Sequence, residues 1–78
     1  MPVQYVDDST ITARVKARLA ENKQVSVMRL SVETLGGEVL LSGFALTPEE
    51  RALAGGLALT VSGVQSVRNN IEVRTNAK

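Results

Sequence analysis

The feature that most constrains the fold of this 78-residue chain is the way its apolar spacing switches along the sequence. Ile11, Val15 and Leu19 recur every four residues, which places them on one side of a helix. From Val25 the spacing falls to two. Met28, Leu30, Val32 and Thr34 alternate with Arg29, Ser31, Glu33 and Leu35, the pattern of a half-buried strand. Val39 and Leu41 then point one way, and Leu40, Ser42 and Phe44 the other. Leu53, Leu57 and Val61 restore the four-residue spacing, widened by Ala54 and Ala58. Val67, Asn69, Ile71 and Val73 close the chain with alternation of two. The order is helix, strand, strand, helix, strand.

One sheet with both helices on one face buries all of these stripes. The expected class is therefore α+β: a single α-β-β-α-β domain over residues 7–74, between an extended arm at 1–6 and a polar tail at 75–78. Two sheet orders fit. The third strand beside the second gives a mixed sheet, and beside the first an all-antiparallel one. The mixed sheet is preferred because it makes the apolar second strand central.

Local chemistry marks the boundaries. Asp8 or Ser9 is placed to cap the first helix, where acidic charge also suits the positive helix end. Gly36-Gly37 between two apolar runs signals a hairpin, because primed turns need positive φ. In Thr47-Pro48-Glu49-Glu50, Thr47 caps the second helix, Pro48 lacks only an N–H that is unpaired there anyway, and Glu50 is expected to bond back to the cap. The helix is predicted to run to about Ser62 and stop at Gly63. Gly37, Gly43 and Gly63 are read as backbone geometry, with a close helix approach at Gly43. Asn69 faces inward and is expected to bond loop backbone near the end of the second helix.

Composition excludes much chemistry. Without Cys or His there is no disulfide, thiolate nucleophile, imidazole base or ordinary zinc site. No acidic spacing resembles a calcium loop. A net charge of +1 and an aromatic fraction of 3% argue against nucleic-acid partners. No acid, base and nucleophile set can be assembled, so neither an enzyme nor a cofactor nor a small-molecule substrate is expected. No apolar run is long enough to span a bilayer. Met1-Pro2-Val3-Gln4-Tyr5 lacks the regions of a signal peptide, so the chain is either cytoplasmic or a mature segment carrying an added Met.

Taken as a set, several residues resemble the BON domain, named for bacterial osmotically induced periplasmic and nodulation proteins. They are the acidic start Asp7-Asp8, the stripe Ile11, Val15 and Leu19, then Val32, Gly37 and Val39-Leu40-Leu41-Ser42-Gly43. Glu50, Ala58, Val61, Gly63-Val64, Val67, Asn69, Ile71 and Val73 complete the pattern. The resemblance implies an α-β-β-α-β domain of the bacterial envelope, often in tandem copies. It also implies phospholipid or membrane-surface binding, with some members protecting periplasmic proteins. The chain departs from the family pattern at Gly55-Gly56, where larger, often charged residues are usual.

The expected function is thus a non-catalytic envelope module that docks to a phospholipid surface or to another protein or BON domain. The alternative is a protein–protein or oligomerisation domain without lipid affinity. Two surfaces are candidates. Arg14, Lys16 and Arg18, with Lys23, could meet anionic lipid heads or form an ordinary solvated face. On the second helix, Ala52, Gly55, Gly56 and Leu59 fall within roughly 100° of a helical wheel, opposite the leucine stripe. They form either a shallow groove or a tolerated surface of small residues. Leu40 and Phe44 would make a small apolar spot on the open face of the sheet, of a kind common on soluble proteins.

Overall fold

The computed structural model describes residues 6–75. Most of the expected N-terminal arm and C-terminal tail lies outside these residues. Helix α1 spans Asp8–Ala20, strand β1 Leu30–Leu35, strand β2 Glu38–Ala45 and helix α2 Pro48–Leu59. The last strand is split into β3, Ser66–Asn69, and β4, Glu72–Val73. β2 is central: β1 pairs with it antiparallel, and β3 and β4 pair with it in parallel. The expected mixed sheet with two helices on one face is the fold observed.

The core lies between the helices and one sheet face. Ile11, Val15 and Leu19 of α1 meet Val32 of β1, Val39, Leu41 and Ala45 of β2, Ala54 and Ala58 of α2, and Ile71. Val39 and Leu41 are fully buried, as the alternation along β2 requires. A hydroxyl pair, Thr12 Oγ1 donating to Thr34 Oγ1 at 2.8 Å, fastens α1 to β1. The other sheet face is not covered by any element of the described residues.

Several boundaries differ from expectation, each for a traceable reason. α1 is capped by Asp7, whose carboxylate accepts from the Thr10 N–H at 2.8 Å. Asp8 instead turns its carboxylate to the hairpin and accepts from the N–H groups of Gly36 at 2.9 Å and Gly37 at 3.2 Å. Both glycines have positive φ, 60° and 84°, as the primed hairpin turn demands. Residues Val27–Arg29 form a 3₁₀ turn rather than the start of a strand, and Met28 is 92% exposed. α2 ends at Leu59, three residues earlier than expected. Thr60 ends it by donating its hydroxyl to the Leu57 carbonyl at 2.6 Å. Gly63, with φ of 99°, lies in the turn that follows.

At Gly43 the near neighbour is not a helix. The φ is 106°, and a Cβ there would collide with the carbonyl oxygen of Arg29 at the entry to β1. Only glycine lets the two strands close at this point.

Candidate functional site

The helical layer begins with how α2 is anchored. Thr47 Oγ1 accepts from the Glu50 N–H at 3.0 Å, the expected cap bond. Glu50 does not bond back to Thr47. Its carboxylate accepts from the N–H of Leu46 at 3.2 Å and of Ser26 at 3.0 Å. The Arg29 guanidinium reaches both of its oxygens at 3.1 Å. Glu50 is only 6% exposed. Burial pushes its carboxyl up, but the two N–H groups and Arg29 prevail and hold it below the ordinary glutamate value. A buried charge paired on every side is a fastening, here of α2 to the segment ahead of β1.

That fastening fixes the rotation of α2. Glu50, Ala54 and Ala58 are its buried residues, while Leu53 and Leu57 are half-buried. The alanines let the helix axis come close to the sheet, so the leucines flank the contact rather than centre it. Gly55 therefore does not lie on the rear face as expected. It turns toward β3, where a Cβ would stand 2.7 Å from Asn69 Nδ2. That amide donates to the Arg51 carbonyl at 2.9 Å, and Asn69 Oδ1 accepts from the Ile71 N–H at 3.2 Å. Asn69 thus bonds the first half of α2, not the loop at its end. Arg51 returns the link, donating to the carbonyls of Ile71 at 2.8 Å and Asn69 at 3.0 Å. Of the four rear-face candidates, Ala52, Gly56 and Leu59 remain exposed, and Leu59 is 58% exposed. A Cβ on Gly56 would meet nothing within 4 Å.

The basic residues of α1 divide. At 100° per residue Arg14 and Arg18 stand about 40° apart, on the side facing the end of α2, and Lys16 lies about 160° from each. Arg18 donates to Thr60 Oγ1 and stands 3.9 Å from the Glu21 carboxylate. A hollow of about 310 Å³ lies between the helix ends, lined by Arg14, Ala17, Arg18, Glu21, Val61 and Ser62. The Arg18–Thr60 bond therefore brings Arg18 to the C-terminal end of α2, one residue beyond Leu59. In the sequence these are two separate surfaces, because the contact between the helices is not encoded within either one.

The open sheet face carries Leu40 and Phe44 on its central strand, both half-buried. The Phe44 ring is flanked by two guanidinium groups, Arg74 at 4.7 Å and Arg29 at 5.7 Å from its centroid. Such contacts contribute about 0.5–1 kcal/mol at exposed sites. Arg29 falls on one side of the strand repeat in the sequence, and nothing local there signals its dual contact with Phe44 and Glu50.

Among the described residues, no three of His, Cys, Asp and Glu come together as a metal site. No helix among them is long and apolar enough to cross a membrane.

The fold defines an α+β domain built around a hairpin and a parallel crossover. The BON domain family model matches residues 7–75. "Osmotically-inducible protein Y" of Escherichia coli (strain K12) is 39% identical over 70 residues, covering 90% of this chain and 35% of that protein. The "Uncharacterized protein in gshII 5'region" of Anaplasma centrale is 31% identical over 67 residues, covering 86% of this chain and 44% of that protein. The chain belongs to the BON domain family. It aligns with less than half the length of either relative.

Proposed function

We propose that this domain is a non-catalytic binding module of the bacterial envelope that docks on anionic phospholipid through the junction of α1 and α2. The observation that carries the reading is an exposed apolar side chain, Leu59, one residue before Thr60, which accepts the bond from Arg18 at the end of α2. An apolar anchor next to cations suits an interface where acyl chain meets headgroup. Gly56 and Ala52 leave the helix surface around Leu59 low, so the bilayer can approach it. The similarity to an osmotically inducible protein supports a setting in the envelope under osmotic stress.

Each basic residue near an anionic surface contributes about 1 kcal/mol. Removing both arginines should therefore weaken binding about thirtyfold. Co-sedimentation with phosphatidylglycerol vesicles tests this, with phosphatidylcholine vesicles as the neutral control. The expected result is retention on the anionic vesicles, falling in Arg14→Gln/Arg18→Gln and in Leu59→Ser. Equal retention of all three proteins on both vesicle types would refute the assignment.

A further inference from the structure

The uncovered sheet face has a charge pattern that matches itself. Cross-strand pairing sets Glu33 of β1, Leu40 of β2 and Arg68 of β3 in one row. The Leu40 row is thus apolar at its centre, with opposite charges at its ends. The row through Phe44 does not repeat this pattern: the Arg29 and Arg74 guanidinium groups both lie over the ring, and Glu72 of β4 is already paired with Arg74 at 3.3 Å. We propose that this face is a docking surface for a second copy of the chain, sheet against sheet, about a two-fold axis running along β2. The proposal stands apart from the lipid reading, which uses the opposite side of the domain.

A two-fold axis along β2 exchanges the β1 and β3 edges. It lays Glu33 of one copy over Arg68 of the other, and Arg68 over Glu33, with the Leu40 side chains meeting at the centre. A crosswise axis would instead place Glu33 over Arg29, whose guanidinium Glu50 already neutralises. The axis along β2 pairs Glu33 with a less committed cation: the Arg68 side chain is 65% exposed, and its ion pair with Glu38 is long, at 3.8 Å. Glu33 has no ion-pair partner among the described residues. A hollow of about 520 Å³ opens over Leu40, rimmed by Glu33, Glu38, Arg68 and Leu35, which is 82% exposed. The Leu40 and Leu35 side chains of the second copy would occupy it. Aligned face-to-face packing of this kind is the ordinary geometry between two sheets.

The size of the face sets the strength. Three strands about 4.8 Å apart, with β2 rising about 3.3 Å per residue, give a patch of roughly 14 by 26 Å. That is about half of the ~800 Å² per partner found in stable complexes. The association is therefore weak, with a dissociation constant of roughly 0.1–1 mM, and its charged rim makes it salt-sensitive.

Amide NMR spectra of the chain from about 20 μM to 1 mM, with sedimentation velocity over the same range, test the proposal. Concentration-dependent shifts should appear at Glu33, Leu40, Phe44 and Arg68 and weaken as salt is raised. Glu33→Arg alone and Arg68→Glu alone should each weaken association about tenfold or more, because like charges then oppose. Mixing the two variants restores opposite charges at both crossings and should return the affinity to within about threefold of the original. Both positions are exposed, and the dispersion of each variant's spectrum reports its folding. A chain that stays monomeric to 1 mM, shifts that map to the helices, or a mixture that fails to recover would each overturn the proposal.

Discussion

The adjacent glycines of α2 should respond in opposite directions to the same substitution. An alanine in place of a mid-helix glycine gains about 1 kcal/mol from backbone propensity. At Gly56 the new methyl meets nothing within 4 Å, so Gly56→Ala should realise that gain. At Gly55 the methyl would stand 2.7 Å from Asn69 Nδ2. The amide cannot yield without stretching its bonds to the Arg51 carbonyl and the Ile71 N–H, now 2.9 and 3.2 Å. Each such bond contributes about 1 kcal/mol. Losing both outweighs the propensity gain and leaves Gly55→Ala about 1 kcal/mol less stable. For a domain of this size 1 kcal/mol moves Tm by about 4–8 °C. Thermal unfolding followed by circular dichroism should thus separate the two variants by roughly 8–16 °C, with the original chain between them. A second cycle isolates the cause. In an Asn69→Ala background the obstruction is gone, so Gly55→Ala should become stabilising. If Gly55→Ala raises Tm as much as Gly56→Ala does, the packing of Asn69 on α2 is wrong.

Other consequences follow from the fastenings. Glu50 has a lowered pKa in the folded state, so its contribution is complete above the ordinary glutamate value and is lost as pH falls through the folded one. The Tm gap between the original chain and Glu50→Gln should hold from pH 7 down to the ordinary glutamate value and close only as pH falls further below it; a gap that widens in acid would contradict this. Asp8→Ala removes both bonds to the hairpin turn and should cost about 1–2 kcal/mol, with faster hydrogen exchange at Gly36 and Gly37. Unchanged exchange there would dismiss the clamp. Val39→Asp places an unpaired charge at a fully buried position and should abolish the cooperative transition; a native amide spectrum would refute the core assignment.

What was legible in the sequence was local. The stripe Ile11, Val15 and Leu19, the alternation at Val39 and Leu41, the turn at Gly36-Gly37 and the Thr47 cap all depend on residues within a few positions of one another. The errors lie where a partner sits far along the chain. Asp8 reaches the hairpin, 28 residues away, and leaves the cap to Asp7. Alternation ran back through Met28, but Ser26 and Arg29 are held by Glu50, and the chain turns there instead of extending. The wheel for α2 identified a buried side without its centre. That centre depends on how closely Ala54 and Ala58 let the helix approach, and on Asn69 filling the space beside Gly55. The candidate surface was half visible for the same reason. Arg18 and Leu59 are recognisable separately, and only the packing of α1 on α2 brings Arg18 to Thr60, the residue after Leu59.

The most direct test of the proposed function locates contact with the membrane residue by residue. Amide spectra are recorded with phosphatidylglycerol vesicles carrying a paramagnetic headgroup label, at a protein concentration of about 20 μM, too low for weak self-association. Broadening concentrated at Arg14, Arg18, Gly56 and Leu59, with Leu40 and Arg68 unaffected, is the result this account predicts. Broadening centred on the open sheet face, or none at vesicle concentrations that retain the protein, would contradict it.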